Sequence, residues 1–483
     1  MKYFIGLDIG TSSVKAMLIS ETGIIRTAGR EYPVYYPENG WSEQSPEDWY
    51  DNSVSAIKEL LEGIDASEVR ALSFSGQMHG LVTLDENDSV IRPAILWNDG
   101  RSEKQVRYLN ETIDRDFLLD NTGNIAFAGF TAPKILWMYE NERENFSRIK
   151  KIMLPKDYVA YRFSGSFATD VSDAAGTLYF DTGKRTWSQA MLDLLHIDAS
   201  QLPTVYESNE IIGKMKPSLA EELGLPQIDI VIGAGDNAAS AIGTGAVRDG
   251  DCNISLGTSG TVFVLSEKYR CDRVNAIHSF CSANRQWHYL ACILTAASAQ
   301  KWWIRDILNT SYDFEKASEY VGKSNVMFLP YLMGERSPVN DPGVRGAFLG
   351  LSADTTREEM TLAVLEGVSF ALRQNLDIIR SLGVEVRTSK ICGGGATNRL
   401  WLSILASILD VKLEIPVLEH GGVLGAAMLA AESSLNREEY GKMRDEFYKV
   451  ASTVEPDSAL VPYYNEKYNK YLRIYPAVKE CLK

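Results

Sequence analysis

At 483 residues the chain is too long for one ordinary core and calls for roughly two to four domains. A hydrophobic fraction of 45% and a charged fraction of 23% are those of a soluble globular enzyme. Lys and Arg total 49 against 64 Asp and Glu, and the net charge of −15 speaks against nucleic acid or an anionic membrane as a bulk partner.

The first residues, MKYFIGLDIG, run straight into a strand without a separate apolar block and cleavage site. No apolar run approaches the roughly 20 residues of a membrane helix, so no membrane partner and a cytoplasmic location are expected. Residues 3–7 read as a short buried strand and 14–19 as its hairpin partner. Ser45-Pro46-Glu47-Asp48 opens a helix, with Ser45 as N-cap, proline in the first turn and acidic residues facing the positive end of the dipole. Trp49, Ile57, Leu60 and Leu61 supply its apolar face and Gly63 its stop. Further strands read at 69–74, 229–233, 252–256, 261–265 and 389–392, and helices at 358–382 and 399–410. The least hydrophobic joint is Gly245–Asp251, which sets the expected domains at 1–245 and 252–483. The six cysteines form no CxxC pair and read as reduced thiols.

An internal echo organises the rest. Leu7-Asp-Ile-Gly-Thr-Ser-Ser13 and Ser255-Leu-Gly-Thr-Ser-Gly260 are both strand, then Gly-Thr-Ser, then strand. Two halves opening on the same hairpin imply a duplicated α/β domain with a cleft between the copies.

Each hairpin turn offers glycine backbone, successive N–H groups and hydroxyls, the makings of an anion nest: Gly10, Thr11 and Ser12 in one, Gly257, Thr258 and Ser259 in the other. One such turn reads most simply as an ordinary hairpin. Two, one per half, are what a clamp on a triphosphate needs, because phosphoryl transfer is mostly positioning and charge stabilisation. Asp8 precedes the first turn as a carboxylate suited to Mg²⁺, and Lys15 follows it. Gly393-Gly394-Gly395, after a strand and before a helix that starts near Asn398, lets backbone approach a flat ligand. No Walker A sequence is present, so a nucleotide would be held without a P-loop. Gly233-Ala-Gly-Asp236-Asn237 ends a strand and starts a helix. Asp236 reads equally as a helix cap and as a catalytic carboxylate at a strand's C-terminal end. A carboxylate's ordinary pKa of about 4 predicts that it is ionised near pH 7. Trp97–Gly100 reads as a turn at a strand end, His278 and His288 as packed or hydrogen-bonded, and Glu335 with Arg336 as an ion pair near the cleft.

In this order the elements resemble the FGGY carbohydrate kinases of the actin-like ATPase superfamily, over roughly residues 3–465. Gly129–Asn141 and Phe328–Pro338, continuing into Gly346–Gly350, are similar to the family's two signatures. Trp41–Gln44, Ser75-Gly-Gln-Met-His-Gly80, Pro93–Arg101, Leu154–Tyr158 and Asp173–Thr177 resemble the xylulose-phosphorylating branch. The resemblance implies two ribonuclease-H-like α/β domains of the actin/hexokinase ATPase type with an interdomain cleft. It implies transfer of a phosphoryl group from ATP, with Mg²⁺, to O5 of D-xylulose. Ribulose, erythrulose or glycerol as acceptor, and an actin-like ATPase module without a sugar, are the alternatives. It implies Asp236 as the base, Gln77, Met78, His79 and Asn237 at the sugar, and Asp8 at the metal. Thr11, Ser12, Lys15, Thr258 and Ser259 fall to the phosphates, and Trp302, Gly394, Gly395 and Asn398 to the adenosine. Homodimers are common in such kinases.

Overall fold

A computed structural model describes residues 1–309, 314–418 and 420–482. The first seven-stranded sheet is built on β1 (Tyr3–Ile9), β2 (Ser13–Ser20) and β3 (Gly23–Glu31). Helix α1 (Pro46–Leu60) leads to β4 (Val69–Gly76), and α2 (Thr131–Asn141), α3 (Pro155–Ser164) and α4 (Val171–Ala174) follow. Strands β5 (Ile211–Lys214), β6 (Asp229–Val231) and β7 (Ala234–Gly235) complete the sheet, in the order β5-β6-β4-β1-β2-β3 with β7 also on β4. Helix α5 (Asp236–Thr244) leaves from β7.

The second sheet also has seven strands: β8 (Cys252–Leu256), β9 (Gly260–Ser266), β10 (His278–Cys281), β11 (Trp287–Ile293), β12 (Thr388–Cys392), β13 (Lys412–Pro416) and β14 (Val450–Val454). Its helices are α6 (Arg357–Ser381), α7 (Arg399–Leu409), α8 (Gly421–Ser434) and α9 (Arg437–Phe447). Its order is β10-β11-β9-β8-β12-β13-β14.

The two sheets share one plan. In the first, β3, β2 and β1 are antiparallel, and β4 and β6 then continue parallel to β1. In the second, β11, β9 and β8 are antiparallel, and β12 and β13 continue parallel to β8. This is the duplicated α/β domain that the repeated Gly-Thr-Ser hairpin implies, with the ribonuclease-H-like plan that the resemblance implies. Buried apolar residues of the first sheet pack on α1 and α3, and those of the second on α6 and α7. Thr356 and Glu359 close a capping box at the start of α6.

The halves are tied by α8, whose run Gly-Val-Leu-Gly-Ala-Ala-Met-Leu-Ala-Ala is buried all round. It packs on β1, β4 and α5 of the first half, in a cluster that includes Phe4, Ile19, Val231, Ala239 and Leu424. Helices α5 and α8 approach so closely that a Cβ on Gly425 would lie 1.8 Å from the Ala239 carbonyl oxygen.

Two local expectations are corrected. Residues 229–233 are not one strand: β6 ends at Val231 because Gly233 turns to φ 76°, and β7 resumes one residue later. A Cβ there would meet the Phe74 carbonyl at 1.8 Å, so the break just before Asp236 requires glycine. Ser45 does occupy the N-cap of α1, yet its hydroxyl donates to Glu47 and not to the helix backbone.

Candidate active site

Asp8 and Lys15 are directly paired across the β1–β2 hairpin. The Ser75 hydroxyl of β4 donates to Asp8 Oδ1 at 2.9 Å. Burial raises the Asp8 pKa against the pull of that bond and of Lys15. The turn between the strands is pinned from behind: Tyr32 donates to the Gly10 carbonyl, Gln44 Nε2 to the Thr11 carbonyl at 2.6 Å, and the Trp97 indole to Thr11 Oγ1 at 2.9 Å. Trp97 is thus more than the turn residue its neighbours predict. Ser12 is left exposed at the tip.

Asp236 is the first residue of α5, with Gly235 at the N-cap. Its Oδ1 accepts both the Asn237 backbone N–H at 2.6 Å and Asn237 Nδ2 at 2.7 Å. Among the described residues Oδ2 accepts no hydrogen bond. The expectation that this carboxyl is fully ionised near pH 7 is overturned. Burial first, and the Asp8 charge second, push it up to about 7 despite the two Asn237 bonds. In the protein alone it is therefore about half protonated at neutral pH.

Gln77, Met78 and His79 leave the end of β4 beside it. Met78 Sδ lies 3.1 Å from where a Cβ on Gly235 would stand, which places its thioether against the start of α5. His79 Nδ1 is 2.7 Å from the Gly176 carbonyl oxygen. A carbonyl only accepts, so Nδ1 carries the hydrogen. Burial, Lys134 and Arg336 hold the ring neutral, down to about 3, which leaves Nε2 as an acceptor. Gln77 is turned the other way. Its Oε1 accepts from Thr11 Oγ1 at 3.3 Å and its Nε2 donates to Gln44 Oε1 at 3.0 Å, so it ties the sugar-side loop to the first hairpin.

In the second half the turn after β8 leaves Thr258 and Ser259 exposed. The Thr258 carbonyl is held by the Ala296 N–H at 3.0 Å and by Ser298 Oγ at 2.6 Å. Gly393 is left-handed at φ 90° and lies against the Leu256–Gly257 backbone, so the glycine triplet and the second hairpin are neighbours. Asn398 caps α7 through Oδ1, and its buried Nδ2 has no hydrogen-bond partner among the described residues. Trp302 stacks on Phe328 with centroids 6.2 Å apart.

A cleft of about 480 Å³ runs between the halves. Asp8, Lys15 and Asn237 wall it from one side, and Ser255, Cys392 and Gly393 from the other. Asp236 is not itself in that wall, although its neighbour Asn237 is, and Thr11, Ser12, Gln77, Met78, His79, Thr258, Ser259, Trp302, Gly394, Gly395 and Asn398 are outside it as well. One contributor was missed in the sequence: His420, Gly421 and Gly422 bring the N-terminus of α8 into the cleft. A glycine pair opening an apolar run was the signal available for it. The expected Glu335–Arg336 ion pair does not form. Glu335 accepts the backbone N–H groups of Leu294 and Arg336, and burial pushes its carboxyl up to about 8. The Arg336 guanidinium turns instead to His278 Nε2 at 2.8 Å and over the Phe127 ring. His278 and His288 are buried and packed on aromatic rings, as expected.

Residues 3–243 match the N-terminal domain of the FGGY family of carbohydrate kinases, and residues 252–434 match its C-terminal domain. The chain is an FGGY carbohydrate kinase. It is 40% identical to the xylulose kinase of Escherichia coli over 433 residues, 89% of this chain and 88% of that one. A solved xyloylose kinase from Brucella ovis superposes with a TM-score of 0.93 at 39% identity, covering 99% of this chain and 100% of that chain. A gluconate kinase from Lactobacillus acidophilus superposes with a TM-score of 0.92 at 26% identity, covering 99% and 98%. As an FGGY kinase it is a sugar phosphotransferase with ATP as phosphoryl donor. No described helix is long and apolar enough to cross a membrane.

Proposed function

We propose that this FGGY kinase phosphorylates D-xylulose at O5, with residues 1–245 carrying the sugar and residues 252–483 most of the nucleotide. The identities to a xylulose kinase and a xyloylose kinase support the acceptor. The observation that carries the chemistry is Asp236. One carboxylate oxygen is held by Asn237, the other accepts no hydrogen bond among the described residues, and the group follows Gly235, on which Met78 packs, and precedes Asn237, which lines the cleft with Asp8.

Met78 and His79 form the sugar side, with His79 Nε2 accepting from a sugar hydroxyl. Gln77 supports the loop from behind. Asp236 Oδ2 takes the proton of the attacking hydroxyl as its oxygen bonds to the γ-phosphorus. The bond from that phosphorus to the bridging oxygen breaks and ADP leaves with the electron pair. Lys15, the turn amides of Thr11, Ser12, Thr258 and Ser259, and the hydroxyls of Ser12, Thr258 and Ser259 balance the phosphate charge from both lobes. Gly394, Gly395, Asn398 through its unpartnered Nδ2, and Trp302 hold the adenosine.

Asp8 is the residue to hold Mg²⁺. Its raised pKa and its repulsion with Asp236 mark a place where a cation is favoured. Mg²⁺ is commonly held by one or two carboxylates together with water and substrate phosphates, a role that a single carboxylate such as Asp8 can fill. When bound, Mg²⁺ would neutralise charge on the transferring phosphoryl group.

The test is a coupled assay of ADP release across D-xylulose, D-ribulose, glycerol and gluconate. Xylulose is expected to show the highest kcat/KM, and equal or better turnover of another acceptor refutes the assignment. Asp236→Ala is expected to lower kcat at least about 100-fold while ATP affinity is kept. Near wild-type turnover would remove Asp236 from the role of base.

A further inference from the structure

Lys134 is fully buried, and no carboxylate lies within ion-pair distance of it among the described residues. A buried ammonium without a paired carboxylate is costly, and burial pushes it down to about 7 against the pull of the Asp99 charge. It stands in the first turn of α2 and its Nζ reaches out of the helix to two carbonyl oxygens, those of His79 at 2.9 Å and Gly129 at 2.7 Å. The Thr131 hydroxyl donates to the same His79 carbonyl at 3.1 Å.

The carbonyl so held belongs to a residue in an unusual state. His79 sits at φ 70°, the left-handed region that side chains with a Cβ enter at a cost of roughly 1–2 kcal/mol. That backbone sends the ring onto Phe130, with centroids 4.7 Å apart, and Nδ1 onto Gly176. Relaxing the peptide would swing Nε2 away. Two donors from α2 on one carbonyl keep it in place, and a cation beside the ring also opposes protonation of the imidazole.

We propose that Lys134 is a positioning residue that, through the His79 carbonyl, fixes where the His79 imidazole meets the sugar. The inference rests on the assignment of His79 to the sugar side, and its test separates the two. Lys134 is fully buried with its Nζ on two backbone carbonyls, so its loss is expected to fall on the sugar KM through His79. The lysine supplies aim, and a misplacement of about 1 Å in a positioning group costs up to about 100-fold.

The experiment compares Lys134→Met, Thr131→Val, His79→Ala and the Lys134→Met/His79→Ala double variant by steady-state kinetics with D-xylulose and ATP. Lys134→Met is expected to raise the sugar KM about ten-fold or more, leaving the ATP KM within two-fold, and Thr131→Val to raise the sugar KM about three-fold. The double variant is expected to be no worse than His79→Ala alone, because the two act as a unit. A folded Lys134→Met enzyme with unchanged sugar KM, or one in which sugar and ATP parameters decline together, overturns the proposal. If Lys134→Met does not fold, Thr131→Val decides, and a sugar KM within two-fold of wild type overturns it. If His79→Ala leaves the sugar KM unchanged, the assignment of His79 has failed, and the proposal falls with it. If His79→Ala raises the sugar KM and the Lys134 and Thr131 variants do not, only the proposal fails.

Discussion

Asp236 is predicted to be a destabilising residue in the isolated protein, and Asp236→Asn measures by how much. The substitution keeps an oxygen for the Asn237 N–H groups and removes only the charge. The folded carboxyl is raised to about 7 from an ordinary 3.8. A carboxyl whose folded pKa lies above its unfolded value costs stability wherever the unfolded chain is ionised. The cost is absent below about pH 4, grows between about 4 and 7, and is constant above 7. Three units at 1.36 kcal/mol each set an upper bound of about 4 kcal/mol. The assay is the difference in Tm between Asp236→Asn and wild type from pH 4 to 8, without nucleotide and with a chelator to keep metal off Asp8. The variant is expected to gain nothing at pH 4 and up to about 4 °C at pH 8. A difference that does not change with pH, or a variant that is the less stable at pH 8, refutes the reasoning. The same variant is expected to be nearly inactive, so the residue would trade stability for chemistry.

Three further outcomes follow from the geometry. The kcat/KM for the sugar is expected to fall about ten-fold per pH unit below about pH 7, as Asp236 is protonated; a profile flat from pH 7 to 5 would contradict this. Gly425→Ala places a methyl 1.8 Å from the Ala239 carbonyl oxygen and is expected to cost 3 kcal/mol or more, on the order of the strongest overpacking effects, seen as a lower Tm with a lower kcat. Lys156→Met removes the cation that Asp157 and Asp170 meet at 2.7 and 2.8 Å in full burial. A loss of about 3–5 kcal/mol is expected in urea unfolding at pH 7, together with a lower kcat, because Asp170 holds Ser172, whose hydroxyl accepts the Gly235 N–H just before Asp236.

The sequence by itself determined what depends on near neighbours in the chain. The paired Gly-Thr-Ser turns, the apolar strand runs and the strand-to-helix corner at Asp236 are local, and they mark both copies of the fold and the order of the site's parts. Helices at 358–382 and 399–410 are found within a residue at each end, because long periodic runs and strong caps need no tertiary context. The tertiary structure alone decided what depends on burial and on charges brought from elsewhere. Asp236 looks like an ordinary carboxylate until β1 sets Asp8 near it and α8 closes over both. Glu335 and Arg336 look like an ion pair until burial disfavours the carboxylate and an imidazole from β10 takes the guanidinium. Gln77 belongs to the sugar loop in sequence, and its amide goes to the hairpin that β1 and β2 bring alongside. Hydrogen-bond periodicity is set over a few residues, whereas a pKa or a choice of partner is summed over every group within several ångströms, and only the folded chain says which groups those are.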